Sequence, residues 1–359
     1  MSERVLVLSS TFPQYDGDPR GQFIMRHWEA RAAAGAQVRF LVPETAWVRG
    51  GLASCCEVVR FKYAPRGWAS LTGQFGILEN IRDRPWRAAL VLPFMAALRR
   101  ATLAELRGFR PDLVVAHMFL PCGLVAAEAA RAAGVACEVY GHGTDVDLTL
   151  RLPALVRARV LQALLSARRV HLPSREKLLR FAAAVGECAA ELRVETMVGC
   201  LSGQVAMEGA RPERSILYLG RLIAQKGVDD LLAAAALLPT RPRVDIAGDG
   251  PERRRLQGMA AALRLDARFH GFVEAAARDA LYRRSGLLCV PSREVRGLSE
   301  GAPLVIAEAR QYGLPVVATA VGGIPELMAQ AQPGSALVRP GAPALLAEAL
   351  GRGLQLRCG

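Results

Sequence analysis

Short, continuous apolar runs alternate with longer mixed segments along this chain, and the alternation predicts its elements. Val5 to Leu8 reads as a strand, Ser9 to Gly21 as a loop punctuated by Pro13, Gly17 and Pro19, and the chain then runs as a helix to about Ala34 and a strand from Val38 to Val42. The pattern recurs as strand Pro111 to Ala116, helix Leu124 to Ala133, strand Ala136 to Tyr140 and a helical stretch near Pro153 to Ala167. After the less regular stretch Glu191 to Arg214 it restarts with strand Ser215 to Leu219, helix Val228 to Leu238 and strand Val244 to Ala247. Helix Glu252 to Leu263, strand Arg268 to His270, helix Ala276 to Arg283, strand Gly286 to Pro291, helix Pro303 to Tyr312, strand Pro315 to Thr319 and helix Pro343 to Leu350 complete it. Apolar strands separated by helices imply parallel sheets covered on both faces. The expectation is an α/β protein of two Rossmann-like, doubly wound domains, residues 1–205 and 206–359. Ligands of such sheets bind beyond the carboxyl ends of the strands, so two facing domains are expected to form a central cleft.

Composition narrows the partners. A length of 359 residues exceeds what one core usually serves, and 52% hydrophobic with 6% aromatic residues suits helices packed on parallel strands. The net charge of +13 invites polyanions, but the basic residues are scattered singly, which argues against nucleic acid. Anionic substrates or an anionic membrane face remain open. The eight cysteines form no CxxC pair and the start MSERVLVLSS is a strand with no leader, so a reduced, cytoplasmic protein without a metal is expected. The longest apolar stretch, Ala88 to Leu98, is about half a membrane span and contains Pro93. It is too short to cross a bilayer, which leaves peripheral contact at the inner membrane face.

The chemistry concentrates at Glu300-Gly301-Ala302-Pro303-Leu304-Val305-Ile306-Ala307-Glu308. Pro303 fits the first helical position, which places amides of residues 302 to 305 at a positive helix end suited to phosphate. Glu300 falls in the loop before that helix and Glu308 more than a turn inside it. A capping carboxylate with a solvent-facing glutamate is the alternative on spacing alone. Lys226 is one of three lysines, with Lys62 and Lys177, in a chain of 46 basic residues. That choice suits a site needing a compact ammonium.

Glu300 and Glu308, separated by seven residues, are followed by Gly313 to Thr319 and by Val321-Gly322-Gly323-Ile324-Pro325-Glu326, and preceded by Gly220-Arg221-Leu222, Lys226-Gly227 and Gly248-Asp249-Gly250-Pro251. This ordered set resembles the family 4 glycosyltransferases of the GT-B fold. In the first half, Phe12-Pro13, Gly17-Asp18, Gly21, Tyr63-Ala64-Pro65-Arg66, Pro111 to His117, Leu120-Pro121 and His142-Gly143-Thr144-Asp145 are similar to members acting in polysaccharide assembly. The resemblance implies that Arg221 and Lys226 hold a donor diphosphate, that Gly301, Ala302, Pro303 and Leu304 line its phosphates, and that Glu308 binds the ribose and Glu300 the transferred sugar. Gly21 would let backbone approach the donor phosphates. His142 would position the reacting groups, while His117 reads equally well as a packed structural histidine. It further implies a retaining hexosyl transfer from a nucleotide diphosphate sugar, a co-substrate needing no cofactor, to a sugar, lipid-linked or small-molecule acceptor. A non-catalytic or truncated nucleotide-sugar-binding protein of this fold, or an epimerase, is the alternative. Two departures stand out: Val198-Gly199-Cys200-Leu201 replaces a Pro-Asn-Gly-Val-like segment, and the end at Arg357-Cys358-Gly359 predicts a second domain shortened after its helix at Pro343 to Leu350.

Overall fold

The computed structural model describes residues 2–73, 76–186, 191–195 and 214–358. The chain divides into two compact units, Met1–Cys200 and Leu201–Gly359. The expected boundary at 205/206 and the segment Val198 to Leu201 lie outside the described residues.

In the first unit, strands β1 (Arg4–Ser9), β2 (Gln37–Pro43), β3 (Glu57–Phe61), β4 (Leu113–His117), β5 (Ala136–Tyr140), β6 (Arg169–Leu172) and β7 (Glu191–Val194) form one sheet. Their order is β3-β2-β1-β4-β5-β6-β7, and the pairings are parallel. Helices α1 (Gln22–Ala33), α2 (Ile77–Asp83), α3 (Val91–Gly108), α4 (Leu124–Ala133), α5 (Thr144–Leu150), α6 (Ala154–Leu165) and α7 (Arg175–Val185) lie between the strands in sequence. Strand β1 shows why its run is unbroken. Leu6 and Leu8 enter a core with Phe94, Leu98 and Val125, whereas Val5 and Val7 enter a second core with Ile24 and Trp28. Successive side chains alternate across the sheet, and helices cover both faces, so every position must be apolar. Each such side chain contributes about 1.5–3 kcal/mol through burial.

The second unit repeats the plan with β8 (Ser215–Leu219), β9 (Arg243–Ala247), β10 (Ala267–Gly271), β11 (Leu287–Val290), β12 (Val316–Thr319) and β13 (Ala336–Val338). Their order is β10-β9-β8-β11-β12-β13, again with parallel pairings. The helices are α8 (Val228–Leu237), α9 (Arg253–Ala262), α10 (Ala275–Arg284), α11 (Leu304–Gln311), α12 (Ile324–Met328) and α13 (Pro343–Cys358). Ile216 and Tyr218 of β8 face one core, Leu217 and Leu219 the other. In each sheet the strand order reverses once, between β1 and β4 and between β8 and β11. Loops leaving the carboxyl ends of such neighbours diverge to opposite faces and open a crevice for ligands.

Two expectations need correcting. Helix α11 begins at Leu304, and Pro303 is its N-cap with extended backbone (ψ 109°) rather than its first helical residue. The final helix, expected to end at Leu350, continues to Cys358. Its apolar residues Leu346, Leu350 and Leu354 recur at helical spacing and are buried, so packing extends it. The stretch Ala88 to Leu98 is a short 3-10 turn, Pro85–Leu90, running into α3. Among the described residues no helix is long and apolar enough to cross a membrane.

Candidate functional site

The crevice position of the second sheet gathers Arg221, Lys226 and Glu300. Arg221 and Lys226 lie on the loop that leaves β8, and Glu300 on the loop that leaves β11. Lys226 Nζ stands 2.8 Å from Glu300 Oε1 and donates to Oε2 at 3.0 Å, while Ser292 Oγ donates to Oε1 at 3.0 Å. Glu300 is buried and Lys226 and Arg221 are half-buried. Burial by itself would raise the Glu300 carboxyl; the charge and hydrogen bond of Lys226, the Ser292 hydroxyl and the charge of Arg221 outweigh it and hold the group below its ordinary value. The carboxylate is therefore ionised at neutral pH.

Several side chains fix the two loops. Arg293 donates from Nη2 to Asp229 Oδ2 at 2.9 Å, from Nη1 to Asp230 Oδ2 at 3.2 Å and from Nε to the Ala224 carbonyl at 3.0 Å, tying the β11 loop to the β8 loop and the start of α8. Thr319, the last residue of β12, donates its hydroxyl to the Ser292 carbonyl. Gly322 has φ 56°, and a Cβ there would lie 2.0 Å from the Glu300 carbonyl oxygen. No residue but glycine lets the β12 loop support the Glu300 backbone this closely. Gly301 and Pro303 are buried, and Ala302 and Leu304 half-buried, along the approach to α11.

Glu308 belongs to a neighbouring cluster. It is buried inside α11, accepts a 2.7 Å hydrogen bond from Tyr282 Oη and pairs with Arg278 Nη1 at 3.2 Å. Two alternatives from spacing alone thus fall: Glu300 does not cap α11 but pairs with a lysine, and Glu308 does not face solvent.

Gly21 and His142 lie in the first unit. Gly21 caps α1 with φ 71°, and a Cβ on it would meet the Thr11 carbonyl oxygen at 2.6 Å, so loop packing alone requires glycine there. His142 follows β5 and is half-buried; His117, the last residue of β4, is fully buried. Trp28 Nε1 donates to His117 Nε2 at 2.8 Å, and His117 Nδ1 stands 3.0 Å from His142 Nε2. An indole nitrogen can only donate, so His117 Nε2 accepts and its proton sits on Nδ1. That proton points at His142 Nε2, which must then accept, leaving neutral His142 with its proton on Nδ1. Burial, followed by the charges of His142, His27 and His171, takes His117 well below its ordinary pKa, and burial also lowers His142 against the raising effect of Asp145. Asp145 orients the turn by accepting from the amides of His142 at 2.8 Å and Phe119 at 2.9 Å. His142 is thus a fixed neutral hydrogen-bond donor, and His117 is the residue that orients it.

Sequence reasoning missed Ser292, Thr319, Arg293 and Trp28. The first three follow or end strands β11 and β12 at the crevice edge, and that position was the available signal. Among the described residues no group of three or more His, Cys, Asp or Glu could hold a metal ion.

Residues 213–355 match the family described as Glycosyl transferases group 1. TuaC of Bacillus subtilis, named as a teichuronic acid biosynthesis glycosyltransferase, is 28% identical over 254 residues, 68% of this chain and 62% of TuaC. A D-inositol 3-phosphate glycosyltransferase of Mycolicibacterium smegmatis is 37% identical over 131 residues, 34% of this chain and 29% of that protein. The matched segments thus cover less than two thirds of these curated relatives. Anabaena HepE, solved with UDP and glucose, superposes with a TM-score of 0.67 at 16% identity, covering 99% of this chain and 94% of HepE.

Proposed function

We propose that this chain, a group 1 glycosyltransferase on the GT-B fold, moves a hexosyl group from a nucleotide diphosphate sugar to an acceptor hydroxyl, with retention at the anomeric carbon. The observation that carries the reading is the Lys226–Glu300 pair beside Arg221 at the strand-order reversal of the second sheet. A departing diphosphate gathers negative charge, which fixed cations and helix-start amides stabilise. In this reading the diphosphate oxygens take Lys226 and Arg221, with Gly301 to Leu304 beside them. Glu300 turns to the sugar hydroxyls and Glu308 to the ribose. The acceptor oxygen bonds to the anomeric carbon on the face the donor leaves. The bond to the diphosphate breaks with its electron pair going to the phosphate oxygen, and that oxygen takes the acceptor proton. His142, donating from Nδ1, positions the reacting groups. A relative named for teichuronic acid biosynthesis supports an acceptor in polysaccharide or glycoconjugate assembly.

The test measures release of nucleoside diphosphate from UDP-, GDP- and ADP-sugars with and without sugar and lipid-linked acceptors. Acceptor-dependent release, lowered about a hundredfold or more in Glu300→Gln and Lys226→Ala, is expected. Unchanged turnover in both variants overturns the assignment. A new sugar isomer formed without acceptor would indicate an epimerase instead, and donor binding without turnover a binding protein.

A further inference from the structure

The first unit carries a pair of thiols that the transfer reaction does not use. Cys55 and Cys56 are the only adjacent cysteines among the eight of the chain, and they immediately precede β3. Their sulfurs stand 3.8 Å apart, with Cys55 exposed and Cys56 half-buried. Glu29 of α1 fixes the turn that presents them. Its Oε1 accepts from Ser54 Oγ at 2.7 Å and from the Cys55 amide at 3.3 Å, while Ser54 Oγ accepts from the Cys56 amide at 3.2 Å. Cys56 also packs against the core that contains Val38 and Phe40. The two thiols are thus held side by side before any ligand arrives.

The pair opens on a groove of about 730 Å³ at the amino edge of the sheet, where Arg4, Gln37 and Glu57 begin β1, β2 and β3. The His142 turn leaves the opposite edge, after β5. The guanidinium groups of the groove are already engaged. Arg4 Nη1 donates to the Phe109 carbonyl at 3.2 Å, and Arg39 pairs with Glu57 and with Glu105 while lying 4.3 Å from the centre of the Phe109 ring. What remains open to a ligand is apolar surface from Ala32, Ala36 and Phe109 beside two sulfurs.

Geometry selects the chemistry of the occupant. The Cys55–Cys56 peptide is trans, and residues so joined have Cα atoms about 3.8 Å apart, short of the roughly 4.4–6.8 Å that a disulfide spans. Direct oxidation of the pair is therefore strained, whereas a single bridging atom relieves the constraint. Among the described residues no group of three His, Cys, Asp or Glu could hold a metal ion, so a four-coordinate zinc is not served. A soft trivalent centre that takes two thiolates fits the pair. Burial, and then the hydrogen bond to Cys55, push the Cys56 thiol up to about 12, so Cys56 keeps its proton and donates it to Cys55. We propose that Cys55 and Cys56 form a capture site for trivalent arsenicals, with an apolar substituent on the arsenic seated in the groove. With an arsine oxide, the Cys55 sulfur bonds to arsenic first and Cys56 closes the ring. Two S–H bonds and the bonding of arsenic to oxygen break, two As–S bonds form, and the oxygen leaves as water with both protons. Arsenic stays trivalent, so no oxidant or reductant is needed. The site lies apart from the residues assigned to transfer and needs no assumption about them.

The test titrates the full chain with phenylarsine oxide in excess mercaptoethanol, which strips arsenic held by one sulfur, and reads the adduct by intact mass and peptide mapping. A single adduct per chain is expected, mapped to Cys55 and Cys56 and removed by dimercaptopropanol. Cys55→Ser and Cys56→Ser should each weaken binding about a hundredfold or more, because the second sulfur acts at high effective concentration. The chain should also bind about tenfold or more tighter than the free peptide Ala53–Glu57, which has both thiols but neither the groove nor the Glu29 anchor. Melting of Cys55→Ser should match the parent, since that side chain is exposed. An absent adduct, an adduct mapped to other cysteines, equal binding by either serine variant, or an affinity no better than the peptide's overturns the proposal.

Discussion

Replacing Lys226 with methionine keeps the side-chain volume and removes the ammonium that holds Glu300. Breaking a buried ion pair from one side costs about 3–5 kcal/mol, because the remaining charge is left desolvated. Here the loss is smaller. The Lys226 side chain is 18% exposed, the Ser292 hydroxyl still donates, and Arg221 still lends its charge. A destabilisation of about 2–3 kcal/mol at pH 7 follows, or about 5–10 °C in the melting of the second unit. The pH dependence is sharper. In the parent chain the folded pKa of Glu300 lies below its unfolded value, so its contribution is complete above about pH 4.3 and is lost as the pH falls through the folded pKa. In Lys226→Met burial dominates and lifts the folded pKa above the unfolded one. The penalty is then full at high pH and is relieved as the pH falls towards that raised value. Urea unfolding from about pH 8 to 5 should show the variant gaining stability on acidification relative to the parent. Lys226→Met/Glu300→Gln should recover about 1–2 kcal/mol, the coupling of the pair. Equal stability at pH 7 with parallel pH profiles refutes the ion pair as the support of Glu300.

Trp28→Phe removes the donor that fixes the His117 tautomer; nitrogen NMR should report mixed imidazole tautomers at His117 and His142, and turnover should fall about tenfold with KM little changed. Gly322→Ala forces a Cβ to 2.0 Å from the Glu300 carbonyl at φ 56°, and denaturant melts should show a loss of more than about 2 kcal/mol. His171 lies 3.1 Å from Glu138 Oε2 and 2.7 Å from Glu195 Oε2; burial depresses its pKa, but these carboxylates together raise it above the ordinary value. Its contribution is therefore full below about pH 6.5 and lost as the pH rises through the folded value. His171→Gln should destabilise more at pH 6 than at pH 9, and an equal loss at both, by thermal melting, contradicts the pairing.

The central strands were legible because helices on both faces keep the middle positions of β1, β4, β8 and β11 apolar, with polar residues such as Arg4, Ser9, His117 and Ser215 only at strand ends. Strands β3 and β6 were not: β3 is half-buried along most of its length, and β6 carries His171 in the middle of four residues. The pairing of Glu300 depends on side chains that chain order separates and only the sheet brings together. Lys226 and Glu300 were readable through the motifs that carry them, whereas Arg293, Ser292 and Thr319 act through contacts that no local pattern encodes. The inward turn of His142 was equally hidden, since Trp28, which sets its partner, lies 89 residues before His117.

The loop that presents Lys226 is translated 74 residues ahead of its partner, and the glycine that props Glu300 comes later still. A ribosome-bound chain that has emerged only through β10 carries the ammonium before its partner Glu300 has been made. Nucleotide affinity should therefore arise abruptly once β12 docks, and arrested nascent chains ending before β12 should bind no donor.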